Sequence, residues 1–508
     1  MSDGESPTDL YQPGRQPEQG LARVAVGGVA WQGLSYLLGK LLVLVSTIVL
    51  ARLLTPNDFG VVGLALLFIS YVEIATDLGV AQALIYLPLD RRRTDAALTI
   101  AMITGGLLAI AGVLSAPAVA SFFRQPEIAP MFRVLSLGLF VAGTGQVPDA
   151  LLRKELRFRQ RILGDLARSF ANGVVAIALA VAGLGPWAIV IGYLAAGLVW
   201  STVLWLLVDY RPHRRFWRVR WTEARPLLAY GAPAAANGVL LSLVFDVDYL
   251  IVGRRLGPSP LGYYVLAFRV PEMLIINVFF VLSAVAFPVL SRASGDLQRL
   301  RRGYLTTVRL QTVYGVAAGV GLSVVAPMLI QGVFGAKWAP SIVPLEALAL
   351  YAAFRSLGIG AIDVYKALGR PTLAVVLSFV RLAVLVPALL WATRYGIEGV
   401  SWMQVVVALA LALLMQAVAW RVLGLSGRSL LPTFGPALAA GLGTAAGALA
   451  VRLWLPGDDL VRLVAASAAG AATGAASLWI SDSRFIPEVW SLVRPARTRE
   501  PSGPVAAG

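Results

Sequence analysis

Five cations lie inside long apolar runs of this chain: Lys40, Arg168, Arg269, Arg355 and Arg381. An ionisable side chain at mid-bilayer depth costs roughly 2.5–3.5 kcal/mol on insertion scales, so each marks a functional position by default. Arginine's planar fork bonds phosphate oxygens bidentately, and cations from five different helices suit a shared cavity that holds a polyanionic headgroup. Carboxylates accompany them in the same runs: Glu73, Asp77, Asp248, Glu272 and Asp363. Such acids can reset an emptied cavity by exchanging a proton or a sodium ion. Helical spacing groups Ser70 with Glu73 and Asp77, and Asp165 with Arg168 and Asn172, while Asn237 and Asp248 stand three turns apart. A structural reading competes, in which these charges neutralise one another in pairs, as Arg269 and Glu272 can at i, i+3.

Other chemistries are excluded by composition. The chain has no cysteine, which removes disulfides, thiolate metal sites and cysteine catalysis. Its one histidine, His213, lies in a basic loop, so histidine zinc sites and Ser-His-Asp triads are absent as well. No metal site, cofactor motif or Walker A sequence is found. The net charge of +16 raises nucleic acid as a partner, but where the arginines fall gives another explanation.

The elements that position these charges must be membrane helices. Of 508 residues, 58% are hydrophobic and 14% charged, with a mean hydropathy of +0.76. Soluble domains sit nearer 45–50% and about 25%. Lipid requires every backbone group to be bonded within the protein, so apolar runs of roughly 20 residues become helices. About fourteen spans are expected by that criterion, at approximately 26–50, 59–86, 96–122, 129–151, 162–183, 186–208, 228–252, 261–289, 304–333, 342–365, 372–393, 398–420, 432–454 and 461–480. The fold class is therefore all-α and polytopic.

The loops alternate in charge. Basic ones include "DRRRTD" (90–95), "RKELRFRQR" (153–161), "RPHRRFWRVR" (211–220) and "SRASGDLQRLRR" (291–302), whereas intervening loops such as "GLGP" (183–186) are short and charge-poor. The positive-inside rule makes the basic side cytoplasmic, with both termini there. Basicity then reports topology and contact with anionic lipids rather than nucleic acid.

Within this pattern the chain turns one corner twice. "ARLLTPNDFG" (51–60) is echoed by "GRRLGPSPLG" (253–262), with Arg52 on Arg254, Leu54 on Leu256, Pro56 on Pro258 and Gly60 on Gly262. Each copy falls between the first and second helix of a six-helix set, which is a parallel repeat. The expected organisation is a cytoplasmic tail (1–23), an N-lobe (24–210), a basic loop (211–225), a C-lobe (226–424), two appended helices (425–480) and a second tail (481–508).

Two stretches resemble a known family. "ARLLTPNDFGVVGLALLFISYVEIATDLGVAQALI" (51–85) is similar to the helix 1–2 signature of bacterial polysaccharide flippases of the multidrug/oligosaccharidyl-lipid/polysaccharide superfamily. "FDVDYLIVGRRLGPSPLGYYVLAFRVPEMLIINVFFVLSAVAFPVLSR" (245–292) resembles the matching helix 7–8 block, with its aspartate, Asp248, and its "GYY" and "FPxLSR" motifs. The similarity runs over roughly residues 24–430. It implies a transporter of the bacterial plasma membrane rather than an enzyme, with two six-helix bundles working by alternating access. The implied cargo is an undecaprenyl-diphosphate-linked oligosaccharide, with a coupling proton or sodium ion. A polysaccharide polymerase and glycosyltransferases are the implied neighbours. The rival readings are a lipid II flippase and a cation-coupled drug antiporter of the same superfamily. A membrane glycosyltransferase or polymerase would need a long extracytoplasmic loop, and the longest outward loop here has about ten residues.

Overall fold

The computed structural model describes residues 39–485, apart from residues 77, 89 and 484. Among these residues there is no strand; the chain is a succession of helices joined by short turns. They are α1 (39–53), α2 (Pro56–Ala75), α3 (Val80–Tyr86), α4 (Arg91–Phe123), α5 (Ile128–Lys154), α6 (Phe158–Val181), α7 (Trp187–Leu207) and α8 (Trp221–Leu256). Then follow α9 (Pro258–Pro271), α10 (Asn277–Arg292), α11 (Leu297–Leu329), α12 (Ile342–Ala367), α13 (Pro371–Ala392), α14 (Gly396–Leu423), α15 (Leu430–Trp454) and α16 (Asp459–Ser481). Among the described residues, eleven helical stretches are long and apolar enough to cross a membrane, or twelve when the bent α8 is taken as one span. One of the eleven, Thr372–Leu423, holds both α13 and α14, and α1 opens at the edge of the described residues. Helices cover the expected spans from the second to the fourteenth, and α1 covers the part of the first from residue 39 on; residues 26–38 of that span and the expected tails, 1–23 and most of 481–508, lie outside the described residues. The protein is an all-α polytopic membrane protein.

Local chemistry sets where helices start and break. Thr55 and Asp58 bond each other's backbone N–H, at 2.8 and 3.2 Å, around Pro56 at the first helical position of α2. Such a reciprocal cap satisfies amide groups that a helix start leaves bare. The expected second span is divided, because the chain breaks between α2 and α3 with Leu78 and Gly79 both at positive φ. Gly79 lies against the backbone of Gly231, where any β-carbon would collide with a carbonyl. The expected eighth span is interrupted too: a π-helical turn at Glu272–Ile276 follows Pro271 and separates α9 from α10.

By contacts the described residues divide into two units. The first takes 39–53, 68–120 and 126–242. Its core at the basic-loop end gathers Val80, Leu84, Ala97, Leu151, Val208 and Leu227. Higher in the bundle, small residues let backbones approach, as where Gly192 meets Ala176. The second unit takes 54–67, 121–125 and 243–485. Tyr304, Tyr365, Ala419 and Leu423 centre its core. The α15–α16 pair packs through glycines, with Thr473 Oγ1 donating to the Gly443 carbonyl at 2.6 Å.

Candidate functional site

In the first unit the expected charges meet on three helices. Arg168 on α6 reaches Glu73 on α2 at 3.6 Å, and the Tyr193 hydroxyl on α7 donates to the other carboxylate oxygen of Glu73. The guanidinium also stands 5.9 Å from the Tyr193 ring and 5.6 Å from the Trp200 ring, within the range of cation–π attraction. A small cleft opens beside this group, lined by Ile69, Glu73, Arg168, Tyr193, Leu194 and Gly197 among others. Arg168 therefore carries its own counter-charge. Asp165, on the same helical stripe, belongs to a ladder instead: Arg161 bonds Asp165 at 3.4 Å and Asp149 at 2.6 Å, and Arg153 bonds Asp149 at 2.6 Å. Along that ladder the structural reading of the charges holds.

The second unit arranges its arginines differently. Arg355 Nη1 on α12 and Arg381 Nη2 on α13 both donate to the hydroxyl of Tyr351, at 2.8 and 3.2 Å. Phe245 of α8 presents its ring to both, with centroid distances of 4.5 and 5.7 Å. Neither guanidinium forms an ion pair with a described residue. Two like charges beside one neutral acceptor in a low-dielectric bundle repel each other, and Asp246 and Asp248 of α8 stand within electrostatic reach of them and offset part of that charge. Each fork retains N–H donors that Tyr351 does not use.

Asp248 lies three residues after Phe245 on α8 and is 3% exposed. Its Oδ2 accepts from the Tyr264 hydroxyl at 2.7 Å and from Gln404 Nε2 at 2.9 Å, while its Oδ1 is buried without a hydrogen-bond partner. Edge-to-face rings run from Tyr264 through Tyr249 to Phe268, which packs on Tyr351 at 5.9 Å. The acid and the arginine pair thus adjoin one aromatic wall.

The remaining expected residues are placed as follows. Arg269 and Glu272 stand 3.9 Å apart across the π turn, as a local pair. Asp363 is buried and accepts from Ser283 Oγ at 2.6 Å. Lys40 is half-buried near the start of α1, and Asp77 lies outside the described residues. Four participants escaped the sequence reading: Tyr193, Phe245, Tyr351 and Gln404. Tyr351 precedes Arg355 by one helical turn, a spacing that sequence alone could have exposed. Gln404 and Tyr193 gave no such signal, because their partners are far away in the chain.

The family described as "Polysaccharide biosynthesis protein" matches residues 49–343. The lipopolysaccharide biosynthesis protein WzxC of Escherichia coli (strain K12) is 26% identical over 68% of this chain and 71% of its own length. Among solved structures, the lipid II flippase MurJ in an inward closed conformation is similar over 91% of this chain and all of its own (TM-score 0.70, 13% identity). An inward-facing multidrug resistance MATE family transporter of the MOP superfamily is similar over 76% of this chain and 94% of its own, with a TM-score of 0.63 and 18% identity.

Proposed function

Because the chain belongs to this family of polysaccharide biosynthesis proteins, we propose that it carries an undecaprenyl-diphosphate-linked oligosaccharide from the cytoplasmic to the outer leaflet by alternating access. It makes and breaks no bond. The single observation that carries this reading is the Arg355–Tyr351–Arg381 group, where two guanidiniums share one neutral acceptor. Bare passage of a diphosphate through hydrocarbon is prohibitive, since even one unpaired ion costs tens of kcal/mol in an apolar medium. A flippase therefore supplies a compensating surface while the polyprenyl tail stays in lipid. The arginine pair answers the diphosphate by charge-assisted, bidentate bonds. What supports a polysaccharide unit over lipid II as the cargo is the family match.

Coupling falls to Asp248 in this reading. Its Oδ1, buried without a hydrogen-bond partner, is where the coupling proton or sodium ion would add. Occupation there changes the net charge beside the arginine pair, and with it the affinity for a dianionic headgroup. Only such a difference in affinity between states can drive a switch. In the first unit, the Arg168–Glu73–Tyr193 group closes on itself when the cavity is empty, and the headgroup competes with Glu73 for Arg168. Lys40 and Arg269 are the remaining cations assigned to the headgroup, and Glu73, Asp77, Glu272 and Asp363 the remaining acids assigned to coupling.

The test is export in a host deleted for its own flippase. Arg355→Gln and Arg381→Gln should each abolish surface polysaccharide at near-normal membrane abundance, while Arg355→Lys restores part of it, because charge survives but the fork does not. Normal export by both glutamine variants would overturn the reading.

A further inference from the structure

We propose that the segment between α7 and α8, residues 208–220, is a pre-ordered anchor for anionic phospholipid headgroups at the membrane surface. This goes beyond the cargo reading and does not rest on it.

The segment has no regular helix, yet it is bound tightly from below. The Tyr210 hydroxyl donates to Asp95 Oδ1 on α4, and the His213 N–H reaches the same oxygen at 3.4 Å. Thr99 Oγ1 donates to the Phe216 carbonyl at 2.9 Å, and Phe216 and Val219 pack on the core of the first unit. Arg211 Nη1 turns back to the Val208 carbonyl at 2.7 Å and the Trp205 carbonyl at 3.3 Å, covering acceptors that the end of α7 leaves unpaired. Burial, and then the Asp95 charge, push the Tyr210 phenol above its ordinary range, so its O–H stays a donor throughout neutral pH.

The outer side of this clasped segment is different. Trp217 and Trp221 are 59% and 69% exposed. Arg214, Arg215, Arg218 and Arg220 are exposed around them and form no ion pair with a described residue. Glu223, the nearest acid on α8, accepts from the Arg220 N–H at 3.2 Å and is used as a helix cap. The segment joins the end of one span directly to the start of the next, so it stands at headgroup depth. Tryptophan favours that depth because one edge of the ring is wet and the rest apolar. Arginines there gain from anionic lipid, by about fivefold in affinity each. Charge complementarity and depth together select a lipid surface over an acidic protein. A preformed segment pays no ordering entropy on contact.

The test uses the absence of native cysteine. Thr222→Cys carries an environment-sensitive fluorophore in the full chain, reconstituted in nanodiscs of phosphatidylcholine with increasing phosphatidylglycerol, both brominated near the headgroup as quencher. Quenching should rise with the phosphatidylglycerol fraction. It should fall back in about 1 M salt, where the screening length shrinks to about 3 Å. Replacing Arg214, Arg215, Arg218 and Arg220 together by glutamine should remove the dependence on phosphatidylglycerol. Trp217→Ser should lower quenching in both lipids. Equal quenching in the two lipids, or an unchanged response in the four-glutamine variant, overturns the proposal. Should that variant fail to fold, the salt titration of the otherwise native chain decides, and an absence of salt dependence overturns it.

Discussion

Gly60 and Gly262 each pack against the proline that opens the other's helix. A β-carbon on Gly60 would overlap the Pro258 backbone, and one on Gly262 would overlap that of Pro56. The contact is reciprocal, as in a two-fold interface, and joins the two corners that the sequence repeats. Asn57 and Ser259 meet across it at 3.3 Å. Trp338, fully buried, sets its ring edge-to-face with Phe59 at 5.3 Å and Tyr263 at 5.9 Å. Lys337 Nζ donates to the Leu54 carbonyl at 2.7 Å.

If transport opens this end of the molecule, the corners must part. Asn57→Cys with Ser259→Cys in this cysteine-free chain should form a disulfide under mild oxidation. Export should then stop and return on reduction. Undiminished export by the fully cross-linked protein would rule out this contact as a gate.

Tyr351 is the shared acceptor of the arginine pair, so Tyr351→Phe leaves both guanidiniums without it. The loss should cost about 1–3 kcal/mol of stability, read as a lowered melting temperature in detergent. A double-mutant cycle with Arg381→Gln should show strong coupling. Additive effects would mean the hydroxyl does not link the two helices.

Asp248→Asn can still accept the two hydrogen bonds from Tyr264 and Gln404. It should therefore leave membrane abundance near normal while removing the dependence of transport on an imposed proton or sodium gradient. Asp248→Leu strands both donors in the interior and should lower abundance, at about 1–3 kcal/mol per unpaired group. Gradient-dependent transport by the asparagine variant would eliminate Asp248 as the coupling acid.

Orientation is expected from the basic loops. Single cysteines at Arg215 and Arg299 should resist an impermeant thiol reagent in intact cells, while one at Ala336 reacts. Labelling at 215 from outside would reverse the topology.

The sequence by itself determined the helical class, the positions of the spans and the recurrence of one corner. These follow from local quantities: the length of an apolar run, a proline at a helix foot, a capping pair such as Thr55 and Asp58. It also singled out the intramembrane charges, because each is costly wherever it lies in lipid. Part of the site was legible in the same way, since Arg269 pairs with Glu272 one turn on.

Only the tertiary structure decided which charge meets which. Arg168 finds Glu73 from another helix, whereas Arg355 and Arg381 share the Tyr351 hydroxyl and form no ion pair with a described residue. Gln404 reaches Asp248 across 156 residues of chain. At the break after α2, Gly79 lies against the backbone of Gly231, far along the sequence. Helical spacing names the face on which a side chain stands, but the partner on the opposite face is set by packing between distant helices. That packing decided which charges form ion pairs and which two guanidiniums share a neutral hydroxyl.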